Sequence, residues 1–243
     1  ALVAVMLVQT RQLLREANAV FCLSLEGLNG GLQPMGKAPN DARGLSGQSQ
    51  CAAQCLRYLE GSYLERPDPN RALQDPLSFR CASGVHGAVL DAVEFVERHM
   101  EIQINATDDN PFIHYEDGTT CVSQNFETTT LALGVEMLAA ALNHMSKCIC
   151  YRLIHLADPA FTGLTRFLTP AEVKTIAYGT IQKVFTVLDA ENRMLANPSS
   201  MDFIAVAGSI EDHASNLPLA AAKVMRILDN LRYMLGIEAM HAA

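Results

Sequence analysis

Four short polar stretches interrupt a chain otherwise rich in Ala, Leu and Val, and they hold the residue types that do chemistry. The first is Gln74-Asp75-Pro76-Leu77-Ser78-Phe79-Arg80-Cys81. It gathers an amide, a carboxylate, a hydroxyl and a guanidinium just before a helix. An arginine there can hold a carboxylate through two parallel hydrogen bonds; the plainer alternative is a loop closed by its own hydrogen bonds, with Arg80 in an ordinary ion pair. The second is Asn105-Ala106-Thr107-Asp108-Asp109-Asn110-Pro111, where Asx residues before proline favour a turn. The third runs from Ala190 to Ser200 and reads as a helix end followed by a turn. The fourth is Glu211-Asp212-His213-Ala214-Ser215-Asn216. Two acids beside a histidine can serve proton transfer, or simply mark the acid-favouring start of a helix. No pair of ligands four apart on a helix stands here, so no metal is predicted.

The composition sets outer bounds on these readings. The chain has 243 residues, about half of them apolar and 18% charged, which describes a folded globular protein with room for a real core. A net charge of −8 argues against nucleic acid as the partner. Seven cysteines, an odd number at irregular spacing, offer no four-ligand zinc pattern and read as reduced core residues of a cytoplasmic protein. Cys51 and Cys55 fall on one helical face. Gly36-Lys37-Ala38 lacks the hydroxyl residue and the glycine spacing of a phosphate loop. The apolar run Ala1 to Val8 is too short to span a bilayer, has no basic residues before it, and reads as the first turns of a buried helix.

The elements that must position the polar stretches are long helices. Residues 1–28 form one, ended by the glycines from Gly27 to Gly31. Residues 29–47 are dense in Gly, Pro and Asx and are predicted to be a long loop. Gln48 to Tyr63 is helical, and Leu64 to Pro76 is a charged connection. Gly84 to Met100 is a helix with Val85, Val89, Val93 and Val96 on its inner face. Residues 101–125 are the expected strand-and-turn region, from the alternation of Ile102 and Ile104 with polar neighbours and the stretch Phe112 to Tyr115. Thr128 to His155, Pro170 to Leu195 and Pro218 to Gly236 complete the helices, the last with Ala220, Val224, Ile227, Leu228 and Leu231 in one stripe. The fold class is therefore all-α, a bundle of long helices with a minor short-strand region, and its apolar faces also predict burial between subunits.

Taken in order and spacing, the four stretches resemble the aromatic amino-acid lyase family, nearest its histidine ammonia-lyase branch. Further matches are Leu23-Ser24-Leu25-Glu26-Gly27-Leu28, Gly47-Gln48, Val85-His86-Gly87-Ala88 and Asn125-Phe126. The likeness runs from about residue 20 to about residue 225. It implies a single helical domain over residues 1–243 that corresponds to the C-terminal half of an ammonia-lyase. It also implies a homotetramer with active sites built from more than one subunit, or association with a chain supplying the N-terminal half. The implied reaction removes ammonia from histidine or an aromatic amino acid, or shifts the amine, at a methylidene-imidazolone electrophile formed in the absent N-terminal half. By the same resemblance Arg80 binds the substrate carboxylate, Phe126 packs near the electrophile, and Glu211 sits by the substrate side chain or amine. Gln74, Asn110, Asn125 and His213 line or support the site.

The departures from the family pattern fall in the site loops. Leu77 stands where the family carries a catalytic Tyr, and leucine can neither donate nor accept a proton. Ile210 replaces a Gln before Glu211, Gln103 replaces an acid, and Gln124-Asn125-Phe126-Glu127 stands for Gly-Asn-Phe-His. Ser146-Lys147-Cys148-Ile149 stands for Ser-Glu-Arg-Arg. Ala82-Ser83-Gly84 copies the composition of the electrophile's precursor, but it follows the arginine loop and reads as a helix start with Ser83 at its cap. Two functions fit this pattern: a lyase completed by its other half, or a non-catalytic relative that keeps the scaffold as a structural or regulatory oligomer.

Overall fold

The computed structural model describes residues 1–243. Five long helices make the body: α1 (Leu2–Leu28), α5 (Ala82–Asn105), α6 (Thr129–Leu156), α8 (Gln182–Leu195) and α9 (Leu217–Ala242). Shorter helices α2 (Lys37–Arg43), α3 (Ser46–Tyr58), α4 (Leu77–Arg80) and α7 (Pro159–Thr162) decorate the connections. The sheet is one antiparallel pair, β1 (Phe112–Ile113) and β2 (Thr120–Cys121), with Phe112 opposite Cys121. The all-α expectation therefore holds. No helix is long and apolar enough to cross a membrane.

The packing follows the helical periodicity of the sequence. α9 lies against α1, α6 and α8, while α5 lies against α1, α3 and α6. Leu131, Val135, Leu138 and Leu142 of α6 are all buried, as is the Ala220, Val224, Ile227, Leu228, Leu231 stripe of α9. From α5, Val89, Val93 and Val96 join the same core, with Val85 packed at its edge. A smaller cluster beneath α4 unites Phe21, Leu25, Cys55, Phe79 and Leu156. All seven cysteines are unpaired, and Cys22, Cys51, Cys55 and Cys150 are buried.

Where α3 crosses α5 the backbones nearly touch. A Cβ on Gly87 would lie 2.3 Å from the Gln48 nitrogen and 2.6 Å from the Gly47 carbonyl carbon. The Gly47 N–H also donates to Asp91 Oδ1 at 2.9 Å, so α5 supplies the side-chain acceptor for the first turn of α3. Two glycines in register are what the close approach requires.

Four local expectations are corrected. Residues 29–47 are not all loop: α2 forms there because the buried Asn40 amide donates to Pro34 O and Gly36 O at 3.0 and 2.7 Å, organising the segment from within. Ile102 and Ile104 are not in a strand; α5 continues to Asn105 and both project into solvent. Ser83 is not a cap; it lies inside the first turn of α5, with Cys81 before it. Only the second part of 170–195 is helical. Residues 171–176 are exposed, with no apolar stripe to bury, and the helix begins at Gln182.

Candidate functional site

The chemistry-bearing residues gather at two places, set by the two ends of α6. Near its C-terminal end stands the arginine loop. Arg80 closes the one-turn helix α4, and its Nη1 donates to Gln74 Oε1 at 2.6 Å. Asp75, buried beside it, accepts from the Gly31 N–H at 2.8 Å. Burial pushes the Asp75 carboxyl up from its ordinary pKa, against that hydrogen bond and the nearby charges of Arg71 and Arg80. Ser78 and Phe79 are buried while Leu77 is exposed, so α4 is anchored on its inner face and carries Leu77 and Arg80 outward.

From below, α4 is held by a residue that motif reading missed. Arg152 of α6 is fully buried, and its guanidinium forms a two-pronged pair with Glu238 of α9 at 2.5 and 3.0 Å. Its remaining Nη1 donates to the Ser78 carbonyl at 3.2 Å. Ser24 of α1 adds a hydrogen bond to Glu238 at 2.8 Å, and the Phe21 ring lies 5.5 Å from the guanidinium carbon. A lone Arg in an apolar helix was the available signal, since such a charge must find a partner.

At the N-terminal end of α6 the residues leading into the helix meet the fourth polar stretch. Glu127 Oε1 lies 3.2 Å from His213 Nε2, and Glu127 also accepts from the Thr129 N–H at 2.8 Å and the Thr129 hydroxyl at 2.5 Å. Partial burial opposes ionisation of Glu127, but the Thr129 donors and His213 outweigh it and hold the carboxyl below its usual pKa. The Phe203 ring packs edge-on to His213, with centroids 5.3 Å apart. Thr128 and Ser215 join the segments again at 2.8 Å. Asn110 Oδ1 accepts from the Ser123 N–H at 2.9 Å, and Ser123 Oγ accepts from the Asn125 N–H at 3.4 Å. Asn110 is thereby tied through Ser123 to the turn that carries Asn125, the exposed Phe126 and Glu127. Glu211 stands two residues before His213, its main chain bridged to Val206 and its side chain in solvent.

The Glu-Asp-His stretch is not a helix start. It lies in an irregular segment before α9, which is tied to α6 where Glu136 accepts from Ser199 N, Ser200 N and Ser200 Oγ at 2.6, 2.7 and 2.9 Å. The two groups do not meet within one chain. Thr129, which touches His213, and Arg152, which touches Ser78, are separated by 23 residues of one helix. At 1.5 Å per residue that is about 35 Å, far longer than a small-molecule substrate.

The Ala82-Ser83-Gly84 triplet forms the first turn of α5, with Ala82 and Ser83 buried. A helical turn directs the Gly nitrogen along the helix axis rather than back onto the Ala carbonyl, so these residues do not suit the cyclised electrophile.

Comparison with known proteins identifies the family and the fold. The family model described as aromatic amino acid lyase matches residues 1–243. Histidine ammonia-lyase of Paracidovorax citrulli (strain AAC00-1) is 34% identical over 224 residues, 91% of this chain and 44% of the relative. The ergothioneine-degrading enzyme ergothionase of Treponema denticola, solved in complex with desmethyl-ergothioneine sulfonic acid, is 58% identical. It superposes with a TM-score of 0.96 over 99% of this chain and 48% of its own. Phenylalanine aminomutase of Pantoea agglomerans, 23% identical, shares the fold with a TM-score of 0.92 over 99% of this chain and 51% of its own. The chain spans about half the length of the relatives it matches, and it belongs to the aromatic amino acid lyase family.

Proposed function

We propose that this chain is the C-terminal half of a carbon–nitrogen lyase that acts on a trimethylated histidine betaine of the ergothioneine class. The observation that carries this reading is the 58% identity to ergothionase over 99% of the chain, against 34% to a histidine ammonia-lyase. The site departures support it. Leu77, Glu127 and Ile210 differ from the ammonia-lyase pattern while Arg80 is retained, as suits a relative with the same carboxylate to bind and a different amine to release.

The balanced reaction takes a proton from the ring-bearing carbon to a base, moves that carbon–hydrogen electron pair into the new carbon–carbon double bond, and breaks the bond from the neighbouring carbon to the quaternary nitrogen, which leaves as neutral trimethylamine. Arg80 holds the carboxylate, with Gln74 fixing its fork. Glu211, and His213 beside Glu127, serve the imidazole end. Phe126, Asn110 and Asn125 shape the wall between. In ammonia-lyases a methylidene-imidazolone group from the N-terminal half would supply the electrophile. A trimethylammonium nitrogen has no lone pair to add to one, so no step proposed here runs through that group.

The separation of about 35 Å between Arg80's loop and His213 within one chain supports a site completed by a second copy, in a homotetramer of the family kind. The unpaired cysteines suit a cytoplasmic setting.

The test is turnover by the whole protein. Ergothioneine is expected to yield trimethylamine and an equal amount of a conjugated imidazole-acrylate, followed by mass spectrometry and by absorbance, with no ammonia from histidine. Arg80→Ala is expected to lower kcat/KM at least about thirtyfold, the loss of about 2 kcal/mol or more that follows when one partner of a buried charge pair is removed. Ammonia release from histidine, with ergothioneine untouched, would overturn the proposal.

A further inference from the structure

We infer that Arg152 is a positioning residue for Arg80 and acts through the main chain of α4; its effect on catalysis rests on the reading of Arg80 given above. The helical ladder has a break at this point. The N–H groups of Phe79 and Arg80 both bond to Pro76 O, and that of Cys81 to Leu77 O. α4 then stops at Arg80, and α5 restarts from Ala82, with the Val85 N–H on Cys81 O. The Ser78 carbonyl falls in this gap, in a buried residue, and Arg152 Nη1 is the donor that reaches it, at 3.2 Å. A buried carbonyl left without a donor is costly.

The geometry around Arg152 is that of a fixed post. Its Nε and Nη2 each donate to Glu238, which is held in turn by Ser24 from α1, and neither Arg152 nor Glu238 is exposed to solvent. Three helices therefore hold one guanidinium, and its Nη1 is directed at the peptide two residues before Arg80. Stability alone does not call for such an arrangement, because well-packed apolar residues commonly replace a buried ion pair without loss. An apolar replacement cannot, however, supply a hydrogen bond to Ser78. On the outer side Arg80 reaches Gln74, so the turn carrying the carboxylate-binding group is pinned both from the core and from the surface.

The experiment pairs R152M/E238M with Arg152→Lys in the whole protein. The double variant removes both charges together and keeps the volume, so it leaves no charge buried alone. The lysine variant keeps the pair with Glu238 but has a single head in place of the fork. In either variant that folds and assembles as the parent does, amides of residues 79–81 are expected to exchange at least tenfold faster while those of α1 and α6 do not. KM for ergothioneine is expected to rise at least tenfold with kcat within threefold. Unchanged exchange at 79–81 in a folded variant would overturn the inference, as would faster exchange with KM unmoved. Absence of ergothioneine turnover by the parent sinks the proposed function instead, and the exchange readout still reports on Arg152.

Discussion

His86 makes the protein sensitive to acid in a way that can be isolated from every other group. The ring is fully buried in α5, and its Nδ1 lies 2.7 Å from Asn18 Oδ1. The Asn18 amide nitrogen donates to Gln54 at 2.8 Å, so its oxygen faces His86, and His86 Nδ1 carries the proton. Nε2 is then a bare acceptor with no donor in reach. Burial first, and the positive charge of Arg152 second, push the His86 pKa down from 6.5 to about 3. In the unfolded chain the ring takes up a proton as pH falls through 6.5, whereas the folded chain refuses it until about 3. Between those values the unfolded state binds more protons, so stability falls as pH falls. Above 6.5 the ring is neutral in both states and contributes no slope. The loss approaches about 1.4 kcal/mol per pH unit, and reaches about 2.7 kcal/mol at pH 4.5 relative to the plateau above the unfolded pKa. His86→Gln keeps a donor for Asn18 and removes the titration. Urea midpoints of the two proteins, compared from pH 7.5 to 4.5 at one protein concentration, should run parallel above pH 6.5 and diverge below it, with the parent losing more. Parallel curves throughout would show that His86 is accessible to protons in the folded state, and the burial argument would fail.

Two further substitutions test the scaffold around the site. Gly87→Ala places a methyl group 2.3–2.6 Å from main-chain atoms of Gly47 and Gln48, which cannot rotate away. Overpacking of this kind is expected to outweigh the helix-propensity gain of about 1 kcal/mol and to cost about 2 kcal/mol net, seen as a lowered melting temperature; an unchanged melt would mean that α3 and α5 separate freely. Glu136→Ala strips the acceptor from two amides and a hydroxyl at Ser199 and Ser200. Hydrogen–deuterium exchange should then quicken at residues 199–200, with a local cost of about 1.5–3 kcal/mol for hydrogen bonds to a charged group, while the α5 amides keep their rates.

What could be read from the sequence was whatever repeats. The stripes of α6 and α9 recur at helical spacing and are buried as that spacing requires. Glycine and proline were poorer guides. The same density of turn residues that predicts a loop over 29–47 also permits α2, because Asn40 satisfies main-chain carbonyls that no pattern marks. Ile102 and Ile104 alternate like a strand but close a helix, since two residues are too few to set a period. At the site, motif order brought out Arg80 and His213, yet it could not reveal that α6 holds them at opposite ends. Nor did it find Arg152, whose partners Ser78 and Glu238 lie on two other helices, with Ser24 of a third holding Glu238. An arginine in an apolar helix signals that a partner is needed, but nothing local says which residue supplies it.

The pairing of α1 with α9 also bears on how the protein is made. Ser24 and Glu238, joined in the core, are 214 residues apart. At ribosomal rates of about 5–20 residues per second, α1 waits roughly 10–40 s between its own synthesis and the arrival of its partner. During that interval Met6, Leu13, Leu14 and Phe21, all buried in the finished protein, lack the surface that α9 will provide. Throughout that interval the nascent chain carries α1 without its α9 cover, although α3 and α5 have already been made, and chaperones that hold apolar helices are expected to bind it. Slowing translation near α9 should raise aggregation before it alters the stability of the finished protein.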